Sequence, residues 1–116
     1  MNRKFVVIPS FMIKWKNMGL TEEDMRRLEN ELLEDPKVGA VMKGTGGVRK
    51  MRFSFENTGK SGAVRVIYVD FEVQGQIFLL DTYAKDKKEN LTKGERNDIK
   101  KVVKLIELSL EETSGR

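Results

Sequence analysis

Residues 49–55, with the sequence Arg-Lys-Met-Arg-Phe-Ser-Phe, decide the fold class because apolar and polar side chains alternate along them. Lys50 and Arg52 fall on one side of an extended segment with this sequence. The other side is apolar and carries Met51, Phe53 and Phe55. This period of two predicts a half-buried β-strand with one basic face and one apolar face.

The residues that follow predict two more strands of the same sheet. Ala63 to Phe71 is apolar on both faces apart from Arg65 and Asp70, which favours a central strand. Gln74-Gly75 indicates a hairpin turn. Ile77 to Ala84 is again mostly apolar on both faces and predicts the next strand.

The residues before this sheet predict one strand and a helical hairpin. Phe5-Val6-Val7-Ile8 is typical of a short strand that Pro9 stops. The helical spacing of Phe11, Trp15 and Met18 predicts a first helix that ends at Gly19.

A second helix follows directly. Thr21 is a good N-cap for it, with Asp24 at the third helical position, and Asp35-Pro36 ends it. Its apolar stripe contains Met25, Leu28, Leu32 and Leu33.

The chain ends in a third predicted helix. Lys85 to Asn90 is a charged connection, after which Thr92 and Glu95 form a capping box. The apolar stripe of this helix contains Ile99, Val102, Val103, Ile106 and Leu110. The order β-α-α-β-β-β-α therefore predicts one α+β domain over residues 1–116, with a small antiparallel sheet, an N-terminal helical hairpin and a C-terminal helix.

Composition restricts the chemistry. The chain has no cysteine and no histidine, which excludes disulfides, thiolate metal sites and the usual general base at neutral pH. Any catalysis must use Lys, Arg, Tyr or carboxylates, and we expect neither a metal nor a cofactor. No apolar run approaches the roughly 20 residues of a membrane span. Pro9, Lys14 and Lys16 also argue against a signal peptide, so we expect a cytoplasmic protein with no membrane partner.

Positive charge is concentrated in one segment. Residues 43–65 contain six basic residues and the single acid Glu56, so this segment carries +5, whereas the rest of the chain carries −1 and the net charge is +4. The six are Lys43, Arg49, Lys50, Arg52, Lys60 and Arg65. A positive patch on strands is suited to binding a polyanion, although a solvated sheet face has the same composition.

Arg65 is the most informative member of this set because its strand is otherwise apolar. A guanidinium in such a strand needs a carboxylate, for which Asp81 is the leading candidate, or a place at the edge of a cleft. If Arg65 instead lies next to Lys50 and Arg52, the like charges repel one another, and a bound anion would relieve this repulsion.

Two nucleotide-binding motifs fail. Gly59-Lys60-Ser61 ends like a P-loop, but Ser54 occupies the place of the first glycine and the segment joins two strands. Arg49 replaces the third glycine of a dinucleotide fingerprint that would begin at Gly44. Asp70, Asp81 and Asp86 are better explained by ordinary turn and strand pairing than by a metal cluster.

Three segments together resemble the RelE/HigB family of bacterial toxins from type II toxin–antitoxin pairs. They are Gly-Thr-Gly-Gly-Val-Arg-Lys-Met-Arg-Phe (Gly44 to Phe53), Gly-Lys-Ser-Gly-Ala-Val-Arg-Val-Ile-Tyr (Gly59 to Tyr68) and Phe-Leu-Leu-Asp-Thr-Tyr-Ala-Lys (Phe78 to Lys85). The resemblance covers nearly the whole chain. It implies a microbial-RNase-like sheet with the helices packed on one face.

The resemblance also implies a function and a set of partners. The chain would be an mRNA interferase that enters the ribosomal A site and cuts mRNA there by metal-independent attack of the ribose 2′-hydroxyl. A cognate antitoxin, encoded adjacently and of the helix-turn-helix type, would inhibit it. The implied partners are therefore the antitoxin, mRNA and the ribosome with its rRNA, and DNA would be bound only through the toxin–antitoxin complex.

The resemblance assigns roles residue by residue. Lys50 and Arg52 match the family's basic strand pair, Arg65 matches the arginine of the central strand, and Lys85 falls near the basic group after the last strand. Tyr83 is the nearby phenol, because Asn90-Leu91-Thr92 has no Tyr or His where some members carry an aromatic acid or base. The candidate catalytic set is Lys50, Arg52, Arg65, Tyr83 and Lys85, and the candidates for binding substrate or ribosome are Lys43, Arg49 and Lys60.

Two other functions stay open. A ParE-like relative would share the fold and act on DNA gyrase without cutting RNA, although such toxins typically lack the set of Lys50, Arg52 and Arg65. A plain nucleic-acid-binding module would use the basic patch for counterion release alone. Codon-phased mRNA cuts would indicate the mRNA interferase. Inhibited supercoiling without cuts would indicate the ParE-like toxin, and salt-sensitive binding alone would indicate the nucleic-acid-binding module.

Overall fold

The computed structural model describes residues 2–57, 60–88 and 90–114. These residues form five strands and three helices. In chain order they are β1 (Lys4–Val7), α1 (Pro9–Asn17), α2 (Glu22–Glu34), β2 (Ala40–Val41), β3 (Arg49–Asn57), β4 (Lys60–Phe71), β5 (Gln76–Ala84) and α3 (Lys93–Ser114). No helix in this described part of the chain has the length and apolar character needed to cross a bilayer.

The five strands form one mixed sheet in the order β1-β5-β4-β3-β2. The predicted α+β class and the central position of β4 are confirmed. The prediction of a wholly antiparallel sheet is wrong at one edge, because β1 pairs parallel to β5. The two-residue strand β2, paired antiparallel to β3, was not predicted. It is too short to leave a periodic pattern in the sequence.

Helices cover both faces of the sheet, which corrects the expectation that all of them pack on one face. Phe11 and Trp15 of α1 and Leu28 and Leu32 of α2 form one core with sheet residues such as Phe53. On the opposite face, α3 forms a second core with the strands. This second core contains Ile67, Val69, Phe78, Leu80, Leu91 and Val103. Because β4 and β5 are apolar on both sides, each side needs a cover that excludes water.

The helix boundaries follow from local chemistry. Thr21 Oγ1 accepts a hydrogen bond from the Asp24 backbone N–H (3.2 Å), and Asp24 Oδ2 accepts one from the Thr21 N–H (2.8 Å), which confirms the predicted N-cap. Pro9 begins α1 instead of only ending β1, because proline fits the first helical turn. In α3 the predicted apolar stripe is confirmed except at Val102, which is 40% exposed.

Two of the three aspartates considered above make ordinary ion pairs. Asp70 binds Arg3 through two hydrogen bonds of 2.8 and 3.3 Å, and both side chains are largely buried. Asp81 binds Lys14 of α1 at 2.7 Å. The pairs attach the N-terminal segment and α1 to the sheet, whereas the sequence had predicted turn and strand pairing for these carboxylates.

A buried tyrosine anchors the connection between α2 and β2. The Tyr68 hydroxyl donates to the Pro36 carbonyl (2.8 Å) and accepts from the Gly39 N–H (2.9 Å). Burial raises the pKa of the Tyr68 phenol, so it keeps the proton that it donates. Arg49 Nη1 donates to the carbonyl oxygens of Lys37 (3.2 Å) and Gly39 (2.7 Å) in the same connection.

Replacing Gly39 with alanine is expected to destabilise the fold by about 1–3 kcal/mol through overpacking. A Cβ at Gly39 would lie 2.9 Å from Tyr68 Cε1 and 3.0 Å from the Lys50 carbonyl oxygen, which is a backbone atom. Denaturant unfolding measures the effect. Gly94→Ala is the control, because only Thr92 Oγ1, at 3.9 Å, is near the added Cβ. Equal stability of the Gly39 variant and the parent chain would contradict this packing.

The start of α3 is held by the predicted capping box and by an ion pair. The Thr92 N–H donates to Glu95 Oε1 (2.8 Å), and the Glu95 N–H donates to Thr92 Oγ1 (3.1 Å). Lys88 Nζ contacts Glu95 Oε2. The hydrogen bonds from Lys88 and from the Thr92 backbone hold the pKa of Glu95 below its ordinary value near 4.5.

We expect Glu95 to make stability depend on pH in the acid range. A lowered pKa in the folded state stabilises the fold above about pH 4.5, and this stabilisation is lost as pH falls through the lowered pKa. Glu95→Gln should therefore lower the melting temperature at about pH 7, with a smaller difference from the parent chain at about pH 3. Glu31→Gln, on the exposed surface of α2, is the control. A difference that grows in acid would contradict the assignment.

Candidate active site

Three predicted site residues lie side by side on neighbouring strands. The register pairs Arg52 of β3 with Arg65 of β4, and Arg65 with Tyr83 of β5. Directly opposed residues have Cβ atoms roughly 5 Å apart and project from the same face of a sheet. We call Arg52, Arg65 and Tyr83 the cross-strand row. It lies on the sheet face that carries α3, because Tyr83 belongs to the core on that side.

Lys50 extends the cross-strand row along β3. It lies two residues before Arg52 and therefore on the same face, as predicted. Its side chain is half-buried, and its Nζ donates to Asn90 Oδ1 at 2.8 Å. Asn90 lies shortly before α3, so the segment that leads into this helix helps to orient the Lys50 amine.

The arginines of the cross-strand row differ in exposure. Arg52 is exposed and its Nη1 donates to Ser54 Oγ (2.9 Å), whereas Arg65 is half-buried and its Nε atom is buried. Asp81, the carboxylate predicted as a partner for Arg65, forms its ion pair with Lys14. The Arg65 backbone is fixed by the Thr82 hydroxyl, which donates to its carbonyl at 2.8 Å.

Lys88 is a further cation of this site and was not predicted from the sequence. Its Nζ lies 4.8 Å from the centre of the Tyr83 ring, within the range of a cation–π interaction. It also contacts Glu95 at the start of α3. The run Lys85-Asp86-Lys87-Lys88 showed that basic groups follow β5. The path of the turn then decides which lysine reaches Tyr83, and no local pattern encodes that path.

This arrangement is suited to the chemistry of a phosphodiester. Arg52, Arg65, Lys50 and Lys88 place two guanidinium groups and two ammonium groups on the same side of the sheet as the Tyr83 phenol. Guanidinium groups bind phosphate oxygens and stabilise negative charge that develops on them. Lysine and tyrosine side chains are both able to transfer protons when a reaction aligns them.

Comparison with known proteins identifies the family. A family model described as the RelE toxin of the RelE/RelB toxin–antitoxin system matches residues 15–113, which is most of the chain. The chain belongs to the RelE toxin family. It is therefore a toxin of toxin–antitoxin type, and an antitoxin partner follows from this membership. The resemblance to RelE toxins seen in the sequence is therefore confirmed as family membership.

A solved structure shows the same fold. It is a double arginine-to-alanine mutant of the Escherichia coli toxin RelE in the free state, and its TM-score with this chain is 0.53. The match covers 77% of this chain and 90% of the other, with 16% sequence identity. At this low identity the likeness concerns the fold, and the residues of the site rest on the geometry described above.

Three of the four other predicted site residues, namely Lys85, Arg49 and Lys43, lie apart from the cross-strand row in this RelE-family chain. Lys85 follows β5 and lines a cavity of about 680 Å³ beside Phe55 and Met18, residues that pack against the core under α1 and α2. Arg49 is directed to the carbonyl groups of the α2–β2 connection. Lys43 is exposed in the turn between β2 and β3, and the side chain of Lys60 lies outside the described residues. The functional roles of all four stay predictions.

Proposed function

We propose that this RelE-family toxin is a ribosome-dependent mRNA interferase, which cuts mRNA in the ribosomal A site and so stops translation. The observation that carries the proposal is the register that places Arg52, Arg65 and Tyr83 on three adjacent strands, with Lys50 beside them. The family membership supports the same activity, because RelE-family toxins are known as endoribonucleases.

The proposed reaction is a transesterification within the mRNA. A base removes the proton from a ribose 2′-hydroxyl, and the oxygen attacks the adjacent phosphorus atom. The bond from phosphorus to the 5′-oxygen then breaks, and an acid protonates this oxygen. The products are a 2′,3′-cyclic phosphate and a free 5′-hydroxyl, and no metal ion takes part.

Arg52 and Arg65 would stabilise the charge of the phosphorane. The transition state carries additional negative charge on the non-bridging oxygens, and preorganised cationic donors act most strongly there. Arg65 lies in the middle of the cross-strand row and is half-buried, which excludes competing water from part of its surface. Arg52 is exposed and would bind the phosphate as the mRNA enters.

Lys50 and Tyr83 are the proposed proton-transfer groups. Lys50 lies on the same face as the arginines, and Asn90 orients its amine. Of the two tyrosines in the chain, Tyr68 is fixed on the other face by Pro36 and Gly39. Tyr83, which is 9% exposed, is the phenol on the same face as the arginines and would protonate the leaving oxygen.

The antitoxin is the proposed inhibitor, encoded beside this chain and carrying the DNA-binding function of the complex. Acidic antitoxin residues near Lys50, Arg52 and Arg65 would be favoured by charge complementarity, which increases the association rate more than the affinity. Growth of cells that express this chain alone and together with the adjacent open reading frame tests the pairing. Unimpaired growth with the folded toxin alone would contradict it.

Cleavage in vitro tests the activity itself. The purified chain is incubated with one mRNA, either free or bound to programmed ribosomes with a vacant A site. We expect cuts only in the ribosome-bound mRNA, with a 2′,3′-cyclic phosphate and a 5′-hydroxyl at the new ends. Equal cutting of free mRNA would contradict the ribosome dependence, and 5′-phosphate ends would contradict the proposed transesterification.

A further inference from the structure

Helix α3 carries a second apolar surface that its own domain does not use. Its inner side packs on the sheet through Val103 and the partly buried Ile99, Ile106 and Leu110. On its outer side, Leu105 is 67% exposed and Leu108 is 46% exposed. At about 100° per residue, Lys101, Leu105, Leu108 and Glu112 project in nearly one direction, away from the sheet. We call these four residues the outer seam.

Apart from Glu95 and Asp98 near its start, the charges along α3 are distributed in the direction opposite to that favoured by an isolated helix. Lysine and arginine are concentrated in its first half, and the last turns contain Glu107, Glu111 and Glu112 without a basic residue. A helix dipole favours acids near the N-terminus and bases near the C-terminus. The ion pairs of the described residues do not include Lys101, Lys104, Glu111 or Glu112. The side chains of these four residues are therefore able to pair with opposite charges on a neighbouring helix.

The outer seam is self-complementary when a second copy lies antiparallel to it. When the twofold axis passes between Ile106 and Glu107, each residue faces the residue of the second copy that lies equally far along the helix on the other side of the axis. Leu105 then lies opposite Leu108 of the second copy, and Lys101 lies opposite Glu112 of the second copy. On one flank Lys104 comes close to Glu111 of the second copy. Each of these contacts occurs twice, as an isologous interface requires.

We propose that this chain self-associates through antiparallel packing of two α3 outer seams. The lysine–glutamate pairs select the antiparallel arrangement, because a parallel pair would bring Lys101 against Lys101 and Glu112 against Glu112. The described α3 is about 33 Å long, and each seam has only two leucines. The interface is therefore small, and the dimer is expected to be transient and dependent on protein concentration. The proposal is independent of the nuclease reaction, since the outer seam shares no residue with the site.

Sedimentation of the full chain over a range of concentrations tests the association. We expect the average mass to rise from 13.3 kDa towards twice this value, and to fall again at high salt, which screens the charge pairs. Leu105→Lys should abolish the rise. Val73→Lys should leave it intact, because Val73 is also apolar and 94% exposed but lies in the β4–β5 turn. A chain that stays monomeric at all concentrations, or equal effects of the two variants, would overturn the proposal.

A charge-reversal experiment tests the antiparallel geometry. Lys101→Glu or Glu112→Lys alone should weaken self-association on the order of tenfold, because both symmetric pairs become repulsive. A mixture of the two variants should recover it, since each chain then presents to the other the charge that it lacks. Circular dichroism and thermal melts verify that the variants stay folded. If the mixture associates no better than the single variants, the antiparallel arrangement is wrong.

Discussion

Arg65→Ala is expected to reduce mRNA cleavage on ribosomes by on the order of 10²–10³-fold, as removal of one preorganised charge-stabilising donor typically does. Arg65 lies between Arg52 and Tyr83 in the cross-strand row, where the phosphate is proposed to bind. Ribosome binding should stay nearly unchanged, because exposed cations such as Arg52 remain. Arg65→Lys should recover only part of the activity, since it keeps the charge and loses the planar guanidinium.

Three measurements separate this effect from loss of folding. Cleavage rate, ribosome binding and thermal stability are compared in the parent chain and the Arg65 variants. Arg26→Ala is the matched control, because Arg26 is exposed on α2, which packs on the other face of the sheet. Cutting and toxicity at the parent level in a folded Arg65→Ala variant would remove Arg65 from the mechanism.

Lys50→Arg is expected to slow cleavage by about 10²–10⁴-fold, the range for loss of a general base. Arginine preserves the positive charge and does not release a proton at neutral pH. Single-turnover cleavage over a range of pH measures the effect. Lys85→Arg is the comparison, because Lys85 lines the cavity at the C-terminal end of α1 instead of joining the cross-strand row.

The pair of lysine variants gives a clear assignment. Loss of activity in Lys50→Arg alone supports Lys50 as the base, and loss in Lys85→Arg alone would move this role to Lys85. Normal cleavage by both variants would exclude lysine at either position. In that case Tyr83→Phe becomes the decisive variant, because Tyr83 is the phenol of the cross-strand row.

Local patterns predicted the parts of the fold that depend on near neighbours in the chain. Alternation from Arg49 to Phe55 predicted β3 and the shared face of Lys50 and Arg52. The N-cap at Thr21 and the capping box at Thr92 were predicted from residues three positions apart, and both are present. Such features depend on a few adjacent side chains, so the sequence encodes them directly.

Features that depend on distant contacts were not predictable in the same way. The parallel pairing of β1 with β5 joins residues more than 70 positions apart. The packing of α3 on the face opposite to α1 and α2 depends on the whole sheet. In the site, the approach of Lys88 to Tyr83 depends on a turn after β5. Each is set by tertiary packing that no short window of sequence contains.

Mapping of mRNA 5′ ends during translation shows whether this toxin cuts mRNA on the ribosome. A translating system is supplied with the parent chain or with Arg65→Ala, and the new 5′-hydroxyl ends are located on the reading frame. The proposed mechanism predicts cuts at one fixed position within codons, present with the parent chain and nearly absent with the variant. Cuts without a codon phase, or growth inhibition by the folded parent chain with no new mRNA ends, would contradict the account.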